Sequence, residues 1–206
     1  MNKIGILGGS FNPIHLAHLV LAETARETLR LNRVVFVPAK LPPHKDPSAL
    51  ADAKDRLAMV RLAVAGNPSF EVSDIELRRE GPSYTVDTVE MMRRRSRWKT
   101  EVFFLIGADT LRELPAWREI RRLAKLCKFV PLSRPGAPAP DVKELAEVMG
   151  AREARAIIAR AIEMPLLDIS SSDIRRRVAN GKSIRYLVPE AVARYIERKA
   201  PYCSGV

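Results

Sequence analysis

The sequence predicts an α/β protein: a Rossmann-like doubly wound parallel sheet with a small C-terminal helical portion. Two observations carry this. Short β-rich runs alternate with amphipathic stretches from the N-terminus to about residue 132, a pattern that gives parallel strands covered by helices on both faces. All three histidines, His15, His18 and His44, fall in strand-end loops or a first helical turn. That is the zone where open α/β sheets bind their ligands.

The elements follow in order. Residues 3–8 read as a first strand, and the glycine turn after it feeds a helix over 15–30. Arg33-Val34-Val35-Phe36-Val37-Pro38 reads as a second strand, then a proline-rich loop runs from Lys40 to Pro47. A helix over about 54–66 is closed by Gly66-Asn67-Pro68, and Phe70-Glu71-Val72-Ser73 is a weaker third strand. Residues 84–96 form a helix with Val86, Val89 and Met92 on one side, leading to the strongest strand, Glu101 to Ile106, which ends at Gly107. A helix near 117–125, a strand near 127–132 and a proline-rich loop from Ser133 to Pro140 come next. Two helical patches, about 141–162 and 172–199 with a break at Gly181, complete the chain. No internal repeat interrupts this. The expectation is one folding unit over residues 1–206, its helical part beginning at about 172.

Composition narrows the function classes. With 206 residues, 47% of them apolar, the chain can bury a real core. No apolar run reaches membrane-spanning length, and the chain opens on a strand rather than a leader, so a cytoplasmic protein without a membrane partner is expected. Cys127 and Cys203 lack metal-type spacing and are too few for a disulfide framework. Lys and Arg number 35 against 24 Asp and Glu, a net charge of +11 that attracts polyanions. Much of the excess, Arg93, Arg94, Arg95, Arg97 and Lys99, closes a helix, where cations complement the dipole and stay solvated. A nucleic-acid-binding module would need a basic stripe interleaved with aromatics, yet aromatics are 6% of the chain and the arginines are scattered.

Two segments carry chemistry. The first is Gly8-Gly9-Ser10-Phe11-Asn12-Pro13-Ile14-His15-Leu16-Ala17-His18. Glycines let the backbone turn and approach a ligand, and the following helix is expected to turn unpaired N–H groups and its positive end toward a phosphate. At about 100° per residue, His15 and His18 point within roughly 60° of each other. The second is Ile169-Ser170-Ser171-Ser172-Asp173-Ile174-Arg175, where serines cap a helix and Arg175 lies one turn in, able to reach the same phosphates. Other patterns fail. Gly181-Lys182-Ser183 lacks the glycine a P-loop needs five residues before, since Arg176 stands there, and Asn180-Gly181 reads as a helix C-cap. Gly5, Gly8 and Gly9 do not match the dinucleotide fingerprint, and the histidine pair lacks the zinc-protease spacing.

Together the two segments resemble the signature motifs of nucleotidyltransferases that share a His-x-x-His phosphate site. In detail the chain is similar to the bacterial nicotinate mononucleotide adenylyltransferase family, nearly end to end. Pro42-Pro43-His44-Lys45, Ser83-Tyr84-Thr85-Val86-Asp87-Thr88, Gly107-Ala108-Asp109, Trp117, Arg134-Pro135-Gly136 and Tyr186-Leu187-Val188-Pro189 carry the narrower likeness. Ser172-Asp173 stands where threonine commonly follows the two serines, and Leu132-Ser133 before Arg134 is a second mild departure.

The resemblance implies transfer of an adenylyl group from ATP to nicotinate mononucleotide, in NAD biosynthesis, with Mg²⁺ carried mainly on phosphate oxygens. It implies catalytic roles for His15, His18 and Arg175. It places ATP against Gly8, Gly9, Ser10, Phe11, His15, His18, Gly107, Asp109, Ser170, Ser171, Ser172, Ile174 and Arg175. It assigns the acceptor to His44, Lys45, Tyr84, Thr85, Asp109, Trp117 and Arg134, with no protein metal ligand. Trp117 as plain core packing and Asp109 as a helix cap are the competing readings. Nicotinamide mononucleotide or pantetheine phosphate as acceptor stays open, as does a homo-oligomer.

Overall fold

Runs such as Ile4–Leu7 and Phe103–Ile106 are apolar at every position, so neither face of the strand can meet water. In a computed structural model of the chain they lie inside a six-stranded sheet. The structure describes residues 2–42, 46–95, 97, 99–133 and 143–202, with Pro47, Ala108 and Asp109 described by backbone alone. The strands are β1 (Asn2–Gly9), β2 (Arg33–Pro38), β3 (Phe70–Val72), β4 (Thr100–Gly107), β5 (Lys128–Ser133) and β6 (Ile162–Glu163). Their order is β3-β2-β1-β4-β5-β6, and it reverses at β1. β1 pairs parallel with β4 from Asn2↔Thr100 to Leu7↔Leu105, β4 with β5, and β5 with β6. The expected doubly wound sheet is present.

Eight α-helices accompany it among the described residues: α1 (Leu16–Leu29), α2 (Ala53–Val64), α3 (Thr85–Arg95), α4 (Ile120–Leu126), α5 (Lys143–Met149), α6 (Ala151–Ile158), α7 (Ser171–Ala179) and α8 (Glu190–Lys199). Three regions differ from the sequence expectation, each for a local reason. Residues 108–116 form a 3₁₀ helix, and α4 starts only at Ile120, because Pro115 has no N–H to donate and Glu119 turns left-handed at φ 51°. The patch 141–162 is split at Gly150, whose φ of 89° ends α5, and its tail becomes the two-residue strand β6. The patch 172–199 breaks over Asn180–Pro189 rather than at one glycine. There the expected cap forms: Gly181 adopts φ 63°, and the N–H of Lys182 reaches the Arg177 carbonyl at 2.8 Å.

The chain groups into two units of interleaved segments. The first comprises residues 1–8, 21–35 and 84–166; its core is Ile4, Ile6, Val34, Phe104, Leu105, Leu123, Phe129 and Ile157. Within it the basic run closes α3 as expected, Arg94 pairing with Glu90 and Arg93 donating to the Leu126 carbonyl. The second comprises residues 9–20, 36–83 and 167–206, around Phe11, Ile14, Phe36, Met59, Val60, Ile174, Val192 and Ile196. The helices after residue 167 therefore group with the turn after β1 and with α2, where the Tyr195 hydroxyl donates to Asp55 at 2.7 Å.

Gly5, buried in β1, shows how tightly the first unit is filled: a Cβ there would lie 2.8 Å from Leu31 Cδ1 and 3.3 Å from both Leu105 and Val34. Gly5→Val is expected to lower unfolding free energy by about 1–3 kcal/mol through overpacking, seen as a lower urea midpoint at unchanged slope. An unchanged midpoint would contradict that packing.

Candidate phosphate site

The site is built in the second unit, on the segment that leaves β1. The reversal expected at Gly8-Gly9 comes later: β1 runs through Gly9, and the left-handed residue is Phe11, at φ 46°. Gly9 serves differently, since a Cβ there would sit 3.3 Å from the Phe11 ring. That ring is buried against Phe36 and His18, at centroid distances of 6.0 and 5.1 Å. Asn12, 2% exposed, satisfies both ends of its amide: Oδ1 accepts from the Ala51 N–H and Nδ2 donates to the Ala49 carbonyl, each at 3.0 Å.

Two main-chain oxygens of this turn are taken by the far end of the sequence. Ser171 Oγ donates to the Pro13 carbonyl at 2.9 Å, and Arg175 Nη1 to the Asn12 carbonyl at 2.8 Å, across 158 and 163 residues. The two segments singled out by sequence thus meet. Arg175 Nη2 also donates to Ser172 Oγ at 3.3 Å, and Ser170 caps α7 by accepting from the Asp173 N–H. Among the described residues the Ser171 and Ser172 N–H groups meet no acceptor, so the start of α7 presents two donors.

The histidine rings stack, with centroids 3.7 Å apart and planes at 37°. The His15 N–H donates to His18 Nδ1 at 3.2 Å, which leaves the neutral His18 ring its proton on Nε2. His15 is 6% exposed, its Nδ1 is buried with no partner among the described residues, and burial pushes its pKa down to about 4. Near pH 7 it is a neutral ring. At the start of α1 part of the cradle that the sequence suggests is already filled. The His15 N–H is held by His18, the Leu16 N–H by the Leu187 carbonyl at 3.0 Å, and the His18 N–H by the His15 carbonyl.

These groups line a cavity of about 500 Å³. Asn12, His15, Ser170, Ser171, Ser172 and Arg175 form its polar side, and Ala49, Leu50 and Ile169 an apolar wall. Asp46, its carboxylate bonded to the Ser48 N–H, sits at its edge. Hydroxyls, N–H groups and a guanidinium make a donor set suited to an anion. Other expected nucleotide contacts are not among these lining residues. Phe11 and Ile174 are buried in the core, whereas Ser10 and His18 are half-buried, Ser10 giving its carbonyl to Arg56 and His18 packing between Phe11 and His15. Ile174 in particular has a wholly buried side chain, so only its main chain could touch a nucleotide.

In the first unit, Gly8 is the next-to-last residue of β1, Gly107 ends β4, and Tyr84 and Thr85 stand at the start of α3. Trp117 is half-buried, edge-on to Phe104 and Phe129 at 5.8 and 6.3 Å, so part of its ring is core packing. Arg118 beside it lies 4.5 Å over the Tyr84 ring. His44, Lys45, Arg134 and the side chain of Asp109 lie outside the described residues. Sequence reasoning passed over Asn12, Asp46 and Arg56. Arg56 had a signal: it falls on the face of α2 that carries Val60 and Val64, where a solvated arginine does not belong.

Comparison with known proteins agrees with this geometry. The cytidylyltransferase-like family model matches residues 6–177. A probable nicotinate-nucleotide adenylyltransferase of Roseiflexus castenholzii is 46% identical over 200 residues, covering 97% of this chain and 98% of the relative. One from Roseiflexus sp. strain RS-1 is 49% identical over 199 residues, 97% of each. Among solved structures, Plasmodium falciparum nicotinic acid mononucleotide adenylyltransferase complexed with NaAD superimposes over 98% of both chains with a TM-score of 0.75 at 18% identity. Likeness above 40% identity over 97% of the chain, with the family model matched over residues 6–177, makes the chain a nucleotidyltransferase that belongs to the nicotinate-nucleotide adenylyltransferases, within the cytidylyltransferase-like family.

Proposed function

We propose that this protein transfers the adenylyl group of ATP to the 5′-phosphate of nicotinate mononucleotide, giving deamido-NAD and pyrophosphate in NAD biosynthesis. The observation that supports it most is the convergence of Ser171 and Arg175 on the turn beside His15, around a cavity whose donors suit phosphate and whose apolar wall suits a nucleoside. The relatives' names supply the acceptor. ATP and pyridine nucleotides are cytoplasmic metabolites, and among the described residues no helix is long and apolar enough to cross a membrane.

The nucleophile is the acceptor's own phosphate oxygen, already ionised at neutral pH, so the protein needs no general base. Its work is to align the reacting groups and to meet the charge that builds on the triphosphate. The His18 Nε2–H and the buried His15 ring would meet the α-phosphate, where donors fixed in a dry site act without reorganising. Ser171, Ser172 and Arg175, at the start of α7, would hold the departing pyrophosphate. Ser10 and Ser170 flank them. Tyr84, Thr85 and Trp117, with His44, Lys45, Asp109 and Arg134, would form the acceptor's binding groups. Among the described residues no cluster of three metal-ligating side chains occurs, and Asp46 is the one carboxylate on the cavity, so Mg²⁺ would be held chiefly by ATP oxygens. It would neutralise triphosphate charge when bound.

Replacing His18 by alanine is expected to lower kcat roughly 10²-fold or more, because the lost donor acts mainly in the transition state. Pyrophosphate release at near wild-type kcat, with the thermal unfolding curve intact, would remove His18 from the chemistry. Assayed with ATP, Mg²⁺ and each acceptor, nicotinate mononucleotide should turn over faster than nicotinamide mononucleotide or pantetheine phosphate. Equal or better turnover with either would reassign the substrate, and salt-sensitive DNA binding without ATP turnover would reassign the class.

His15 also sets a pH dependence. Its pKa lies below the ordinary value of 6.5, at about 4, so between those values the unfolded chain binds a proton that the folded one refuses. The stabilisation is whole above pH 6.5 and is lost as pH falls through 4. Urea titrations from pH 7 to pH 4 should show His15→Leu losing about 2 kcal/mol less stability than wild type over that window. Parallel losses would refute the assignment.

A further inference from the structure

We propose that Arg56 is a positioning residue for the transfer, a buried guanidinium that holds the phosphate turn and the loop after β2 in one fixed arrangement. The inference rests on the adenylyl-transfer reading. Arg56 is 1% exposed, yet its donors go to main-chain carbonyls of three separate segments. Nη1 donates to Ser10 and to Ala39, both at 2.7 Å, Nη2 to Lys40 at 3.2 Å, and Nε to Ala51 at 3.0 Å. The first carbonyl belongs to the phosphate turn, the next two open the loop running from Lys40 to Pro47, and the last leads into α2.

Those carbonyls lie where the sheet stops supplying partners. The Ala39 N–H reaches the Gly9 carbonyl at 2.9 Å, and beyond that rung the strands diverge into loops whose buried oxygens need donors. The planar fork of an arginine presents five N–H groups in fixed directions and supplies several at once. Asn12 bolts the same turn to the same lead into α2, through Ala49 and Ala51. The turn is therefore tied to the lead into α2 by Arg56 and Asn12 and to the start of α7 by Ser171 and Arg175. Among the described residues the ionisable groups near the guanidinium are Asp52 and Tyr202, neither of them hydrogen-bonded to it, so there its charge rests on carbonyl dipoles.

Ser10 is five residues before His15 and eight before His18. Losing the fork lets the turn shift by a fraction of an ångström. Such a shift affects the aligned transition state much more than ground-state ATP binding, which Arg175 and the start of α7 still provide.

The test compares wild type with Arg56→Lys, which keeps the charge but loses the fork, and Arg56→Gln, which keeps two donors but loses the charge. Kinetics are read as kcat and KM for ATP, and hydrogen exchange is read over residues 9–13 and 36–42. The expected result is a kcat lower by roughly 10–100-fold in Arg56→Lys with KM for ATP within about threefold. Both segments should lose protection together while α3 to α6 keep theirs. Unchanged kcat with unchanged exchange, or loss of the whole fold in both variants, would overturn the proposal, the latter by making Arg56 a stability residue only. If wild type turns over no acceptor, the adenylyl-transfer reading fails by itself. Joint loss of protection would then still support the positioning role, and its absence would still end it.

Discussion

The arrangement depends on two side chains that reach across most of the sequence to grip main-chain oxygens, Ser171 at Pro13 and Arg175 at Asn12. A turn leaving a buried strand carries carbonyls that no ladder can satisfy, and each left bare would cost the free energy of desolvation. Here the donors come from the start of α7. The consequence is chemical as well as structural: the guanidinium and hydroxyls that complete the turn are brought beside His15, so one set of bonds both closes the backbone and gathers the donors of the proposed anion site.

On the proposed reading, that double use explains which helix end would serve the phosphate. A helix N-terminus binds an anion only if its first N–H groups are still available. At α1 the N–H groups of His15, Leu16 and His18 are occupied, by His18 Nδ1, by the Leu187 carbonyl and by the His15 carbonyl. What α1 offers instead is the Nε2–H of His18, whose tautomer is dictated by that same occupation. At α7 Ser170 takes the Asp173 N–H and leaves Ser171 and Ser172 facing the cavity. The two motifs look alike in sequence, each a turn before a helix, and they do different work.

Much of the fold was legible because its signals are local. β2 was read at Arg33–Pro38, and β1, β4 and β5 to within a residue or two, since a short run apolar at every position suits a strand covered on both faces. The 3₁₀ helix over 108–116 was not read, because it lacks the 3.6-residue period, and β6, at two residues, has no period at all. The site was legible through the likeness of two motifs, whose residues the geometry does bring together. Its supports were not. Phe11 carries the left-handed turn that sequence assigned to glycine, and Arg56, though its place on the apolar face of α2 hints at burial, finds its carbonyl partners only once the loops around it are folded.

A neutral, desolvated histidine is a sensible choice for such a place. A permanently charged side chain in His15's position would have to be buried without a counter-ion before ATP arrives, a cost of several kcal/mol. Imidazole avoids it by shedding its proton when buried, and burial indeed holds His15 well below its ordinary range. Arg175, which cannot shed its charge, is kept at the partly exposed edge with carbonyl and hydroxyl acceptors. The charge of Arg175 thus stays where water can screen it, and the titratable His15 ring occupies the buried position, stacked on the His18 ring whose Nδ1 the His15 N–H holds.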